Sequence, residues 1–98
     1  MSAPNMIPAE KLNRLIGTPS APLMIDVSND EDFNEDPRYI PGSVRRPFGA
    51  VAEWGAALSG QSVVVICHKG LKLSHGTAAW LRHQGASAQV LEDGRVGW

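Results

Sequence analysis

A chain of 98 residues can fold as one domain around a single core and is too short for two. Nine Lys+Arg against ten Asp+Glu leave a formal charge of −1, which excludes a bulk preference for nucleic acid or an anionic membrane and makes any electrostatic specificity local. A single cysteine rules out an internal disulfide, the amino-terminal MSAPNMIPAEKLNRLIG lacks the apolar run of a secretory signal, and no stretch approaches the ~20 apolar residues that span a bilayer, so a cytoplasmic, reducing setting is expected.

There is no internal repeat and no low-complexity segment. PAEKLNRLIG reads as a first helix, with Pro8 in the first turn, Leu12, Leu15 and Ile16 on one face and Gly17 as its stop. PSAP (19–22) is a connector. LMIDV (23–27) fits a strand buried on both faces, with Asp26 near its carboxyl end. SNDEDFNED then opens with cap-type residues and places acids where a helix amino terminus favours them, which predicts a short helix. YIPGSVRRPF holds two prolines and a glycine, so only SVRR is expected to be extended, after a Pro-Gly turn.

GAVAEWGAALSG reads as a helix with Val51, Trp54 and Leu58 on one side. Strand VVVI (63–66), a loop, helix LSHGTAAWLRHQG and strand AQVL (88–91) follow. In that helix Leu73, Thr77, Trp80 and Leu81 share a face, and Gly85 suits its end. Strands alternating with helices at this spacing predict an α/β domain over residues 1–98, a central parallel sheet with helices on both faces. Ligands of such sheets bind beyond the carboxyl ends of the strands, which is where Cys67 stands.

A thiol at a strand-to-helix junction meets loop N–H groups and the positive end of the next helix, both of which favour thiolate over thiol. Lys69 and Lys72 add charge of the same sense, and Gly70 lets the loop amides turn inward as an anion nest. A buried, inert cysteine is the competing reading, since free cysteine is among the most buried residue types. The polar run His68-Lys69-Gly70 that follows directly is poor core material and weighs against it.

These residues resemble a rhodanese-like (sulfurtransferase) domain, a family in which a strand-terminal Cys opens a Cys-x-x-Gly-x-Arg loop and carries a persulfide; here the segment is CHKGLK. LMIDVS is similar to the family's early apolar-Asp-Val-Arg strand, YIPGSVRRP to its His-Ile-Pro-Gly-Ala segment and LEDGRVGW to its closing Leu-x-Gly-Gly-x-x-x-Trp, in the family's order. Within the family, FNEDPRYIPGSVRRP and CHKGLKLSHGTAAWLRHQG look like the rhodanese domain of chromate-resistance-associated proteins.

The chain departs from the pattern at Ser28 (usually Arg), Tyr39 (often His), Asp93 (the first Gly of the closing pair) and Lys72 (the loop-closing Arg). The last matters most, because Arg grips a sulfonate with a planar fork and Lys offers a point charge. The chain also ends at Trp98, where family members usually continue into a final helix, so that carboxyl-terminal cover is expected to be missing or trimmed.

The resemblance implies a sulfur relay through a Cys67 persulfide, from a small anionic donor such as thiosulfate to a thiol acceptor or a sulfur-acceptor protein. No cofactor, metal, nucleic acid or membrane partner is implied. Cys67 is the implied nucleophile, and His68, Lys69, Gly70, Leu71 and Lys72 the implied substrate-binding loop. Two other readings stay open. A phosphatase or arsenate reductase on the same fold needs a loop one residue longer, Cys-x5-Arg, and position 73 is Leu. A non-catalytic oxyanion-binding or redox-sensing module is kept open by Lys72 and the short carboxyl terminus.

The remaining features are expected to be structural. His68 and His75 are each either loop surface or site, with no zinc-ligand spacing. Trp54, Trp80 and Trp98 are expected to pack in the core or against a helix, VRR to solvate an edge, and NDEDFNED to cap a helix without the ligand pattern of a calcium loop. Asp26 is expected to fix backbone or a cation at its strand end.

Overall fold

The computed structural model describes residues 5–35, 37, 39–68 and 72–98, Lys72 by its backbone alone. Among the described residues five strands form one sheet: β1 (Met6–Ile7), β2 (Leu23–Asp26), β3 (Val44–Arg45), β4 (Ser62–Ile66) and β5 (Ser87–Leu91), in the spatial order β1-β5-β4-β2-β3. Every neighbouring pair is parallel, with Asp26 of β2 opposite Ile66 of β4 and Val65 opposite Val90 of β5. The VVVI strand therefore lies at the centre, as the sequence predicts.

Side-chain alternation divides the core between the two faces of this sheet. Val63 and Val65 join Ile25, Val27, Ala88 and Val90 on one face. Val64 and Ile66 join Met24, Ile7 and Leu91 on the other. The second face is covered by α1 (Ala9–Leu15), whose Leu12 is fully buried and whose Leu15 packs against the same cluster. The first is covered by α4 (Lys72–His83) through Ala78 and Leu81, and by the 48–58 segment through Val51, Trp54 and Leu58. The helices thus lie on both faces, as expected, and both α1 and α4 stop where glycine was read as a stop: Gly17 has φ 81° and Gly85 φ 95°, left-handed values that glycine adopts without a Cβ clash.

Three expectations need correction. Met6–Ile7 was not read as a strand; two residues are too few to show a period, yet they pair with Val90 and Leu91 at the sheet edge. The segment from Gly49 to Gly60 is not one helix. Only α3 (Val51–Trp54) is α-helical, between 3-10 turns at Phe48–Ala50 and Gly55–Leu58, although its three apolar residues do face the core. Trp98 is 41% exposed and so is no core residue, while Trp54 and Trp80 pack at the core's margin. Among the described residues no helix is long and apolar enough to cross a membrane.

Candidate active site

Cys67 is the first residue beyond β4 and keeps the parity of Val63 and Val65, so its thiol faces α4. There its Sγ lies 3.1 Å from the Oγ of Ser74, in the first turn of α4. Both residues are buried, Cys67 at 5% exposure and Ser74 at 0%. The carboxyl end of the central strand and the first turn of α4 therefore meet at the sulfur. A hydroxyl at this distance can donate to a thiolate or accept from a thiol.

The backbone of Cys67 and His68 is held from the carboxyl-terminal turn. The N–H of Arg95 donates to the Cys67 carbonyl at 2.8 Å and that of Val96 to the His68 carbonyl at 2.9 Å. This turn is LEDGRVGW, in which Asp93 takes φ 62°. The glycine-to-Asp departure thus falls on a left-handed residue, and Asp is one of the few non-glycine types that tolerate one.

Under the turn sits a buried ion pair. Asp26, at the end of β2, is 0% exposed; its Oδ1 accepts the Ser28 N–H at 2.8 Å, and its Oδ2 lies 3.2 Å from Arg95 Nε. The single Nε proton points better at Ser28 Oγ, 3.3 Å away, so the contact with Oδ2 is charge attraction and not an aligned hydrogen bond. The Arg95 fork also donates to the Asp32 carbonyl at 3.3 Å and lies 4.9 Å from the centre of the Phe33 ring. Asp26 does what was expected of it, fixing backbone and a cation at its strand end.

The short acidic helix is present as α2 (Asp30–Glu35), and Asn29 caps it by accepting the Asp32 N–H at 2.7 Å. Its Glu35 places Oε2 3.4 Å from Nε2 of His68, whose side chain is only 12% exposed. His68 is therefore tucked against α2 and is not loose surface, and its buried Nδ1 has no hydrogen-bond partner among the described residues. His75 is exposed on α4. The basic VRR patch also differs from expectation. Arg45 does not solvate an edge: its guanidinium stacks 4.2 Å over Phe33 and bonds the Ser28 carbonyl and Asp30 at 2.9 and 3.0 Å. Beyond the ends of β2 and β3, Ser28, Asp30, Arg46 and Phe48 line part of an open cavity of about 330 Å³ that Cys67 does not reach.

Of the loop read from the sequence, the structure places Cys67 and His68. Lys69, Gly70 and Leu71, and the Lys72 side chain, lie outside the described residues. Sequence reasoning missed Ser74 and Arg95 as parts of the site. Strand parity points Cys67 at the following helix and could have found Ser74; a lone arginine between Gly94 and Gly97 of the closing turn could have flagged Arg95.

Comparison with known proteins agrees with the fold. The rhodanese-like domain family model matches residues 8–98. A rhodanese-like domain protein from Staphylococcus aureus superposes with a TM-score of 0.81 at 20% identity, over 96% of this chain and 90% of its own. Thiosulfate sulfurtransferase from Pseudomonas aeruginosa matches 100% of this chain with 20% of its own length, at a TM-score of 0.72 and 20% identity. An uncharacterized protein of Sinorhizobium fredii is 70% identical over 33 residues, 34% of this chain and only 14% of that protein.

Proposed function

Because the chain belongs to the rhodanese-like domain family, we propose that it is a sulfurtransferase that carries a sulfane sulfur as a persulfide on Cys67. The observation that carries this reading is the Cys67 sulfur itself, placed at the carboxyl end of the central strand within 3.1 Å of Ser74 Oγ. In the first half-reaction the Cys67 thiolate attacks the outer sulfur of thiosulfate. The donor's S–S bond breaks, sulfite leaves with the bonding pair, and the persulfide remains. An acceptor thiolate or cyanide then takes the terminal sulfur and Cys67 returns as thiolate, with no net electron input. Such exchange needs a thiolate and a good leaving group but no separate general base.

Ser74 is given a defined part in the second step. There the Cys67 sulfur is the leaving group and gains negative charge, which the hydroxyl can meet with a hydrogen bond. A hydrogen bond to a charged group contributes ~1.5–3 kcal/mol, so Ser74→Ala is expected to slow discharge of the preloaded persulfide by roughly tenfold to 150-fold. Single-turnover cyanolysis reads this directly, and an unchanged rate would remove Ser74 from the mechanism.

Lys72 is assigned to the donor. As a point charge it serves ground and transition states alike, so Lys72→Ala should raise KM for thiosulfate by roughly tenfold to 150-fold with little change in kcat. Lys72→Arg should keep or improve binding if there is room for the fork. Steady-state kinetics with no change in either parameter for Lys72→Ala would leave the anion to backbone amides alone.

The deep burial of Cys67, 5% exposed, favours a second reading, a non-catalytic oxyanion-binding or redox-sensing module. Thiosulfate–cyanide turnover separates the two. Cys67-dependent thiocyanate release supports the transferase; its absence alongside saturable thiosulfate binding supports the module. Robust Cys67-dependent hydrolysis of an aryl phosphate would instead favour a phosphatase.

A further inference from the structure

We infer that Arg95 is a positioning residue for Cys67, the side chain whose burial against Asp26 sets where the reacting sulfur stands. The inference rests on the sulfur-transfer reading for its kinetic readout, but not for its structural one.

The geometry runs in one chain of contacts. The side chain of Arg95 is 2% exposed and pairs with a fully buried Asp26 at the end of β2. It also spans Ser28 Oγ and the Asp32 carbonyl, so three points fix it: the last residue of β2, the segment after it and α2. Its own N–H, with that of the next residue, holds the carbonyls of Cys67 and His68 at the end of β4. The guanidinium therefore ties the carboxyl ends of two adjacent strands together through the closing turn. Cys67 inherits its position from that tie, because its side chain starts from the carbon between the strand and the held carbonyl.

The sequence shows why position 95 carries this role here. Ser28, two residues beyond Asp26, is small and buried, and its hydroxyl lies 3.3 Å from Arg95 Nε, so the guanidinium approaches closely at the end of β2. A buried carboxylate without a cation is strongly unfavourable, so Asp26 requires one from somewhere. This chain brings it from the far carboxyl terminus, 67 positions after Ser28. The cation that satisfies Asp26 is thereby the same one that locates the nucleophile.

A merely structural ion pair and a positioning one make different predictions once the charge is removed from both sides. Asp26→Asn with Arg95→Met takes away the pair without leaving a buried charge, and such replacements are often neutral for stability. Asn at 26 also keeps an acceptor for the Ser28 N–H. The folded double variant is expected to show an unchanged KM for thiosulfate and a kcat about a hundredfold lower, the scale of a misplacement of order 1 Å at a reacting group. In the same variant the amides of Arg95 or its replacement and of Val96 should exchange with solvent at least about tenfold faster, and the rate of Cys67 alkylation by iodoacetamide should change.

Arg95→Lys keeps a cation beside Asp26 but lacks the fork that reaches Asp32. It should fold and show a smaller fall in kcat of the same kind, and it decides the question if the double variant does not fold. Wild-type kcat, KM, amide exchange and alkylation in either folded variant would overturn the assignment and leave Arg95 as scaffolding. If the wild-type protein forms no persulfide at all, the transferase reading fails, and amide exchange with alkylation still judges Arg95.

Discussion

Cys67→Ala is expected to abolish thiosulfate-dependent sulfur release while leaving the fold in place. No other cysteine exists in the chain to take over as nucleophile, and thiol exchange has no route without a sulfur. The residue is nevertheless small, and it lies at the end of a strand whose neighbours Val64, Val65 and Ile66 carry the packing. Losing its sulfur should lower stability by only about 1 kcal/mol, or ~4–8 °C in Tm for a domain of this size. Cys67→Ser, which keeps a hydrogen-bonding atom beside Ser74, should be equally inactive. Cyanolysis together with a thermal melt checks both halves, and residual turnover in either variant would mean that the sulfur is carried elsewhere.

The opposite pattern is expected at Leu81. Its side chain is fully buried where α4 meets the β4–β5 face. Leu81→Ala removes apolar contact and leaves a cavity in a closely packed core, which costs ~2–5 kcal/mol. That corresponds to a fall in Tm of roughly 8 to 40 °C, and the energy is large against the ~5–15 kcal/mol by which domains are usually stable. Leu81 lies seven positions, about two helical turns, beyond Ser74 on the same helix. Below the new Tm the persulfide should therefore still form at close to the wild-type rate. Denaturation monitored by circular dichroism, with turnover measured well below the midpoint, tests this. An unchanged Tm would contradict the packing described for α4.

The sheet was legible because its central strands are written as unbroken apolar runs: LMIDV and VVVI can be buried on both faces only between covering helices. The ends of α1 and α4 were legible because Gly17 and Gly85 stand where left-handed residues are needed. Met6–Ile7 was not legible, since an edge strand of two residues owes its pairing to β5 and not to its own pattern. The 48–58 segment carries a helical spacing of Val51, Trp54 and Leu58 that survives as a packing face while its backbone tightens into 3-10 turns on either side.

Within the site, Cys67 was marked by its setting after an apolar run and before a polar one. Ser74 and Arg95 were hidden for a different reason. Both act across tertiary contacts, Ser74 from the next helix and Arg95 from a turn that reaches back to β2, and neither local propensity nor local spacing reports such a meeting. Arg45 misled in the same way. As a sequence VRR looks like a solvated patch, and only the placement of Phe33 beneath it turns one of those arginines into a packed, paired residue.

The proposal that Cys67 carries the transferred sulfur is tested most directly by intact-protein mass spectrometry after incubation with thiosulfate and removal of excess donor. The predicted result is a gain of the mass of one sulfur atom, located on the peptide containing Cys67, absent in Cys67→Ala and lost on adding cyanide with release of thiocyanate. A protein whose mass is unchanged after loading, or whose added sulfur persists in Cys67→Ala, would contradict it.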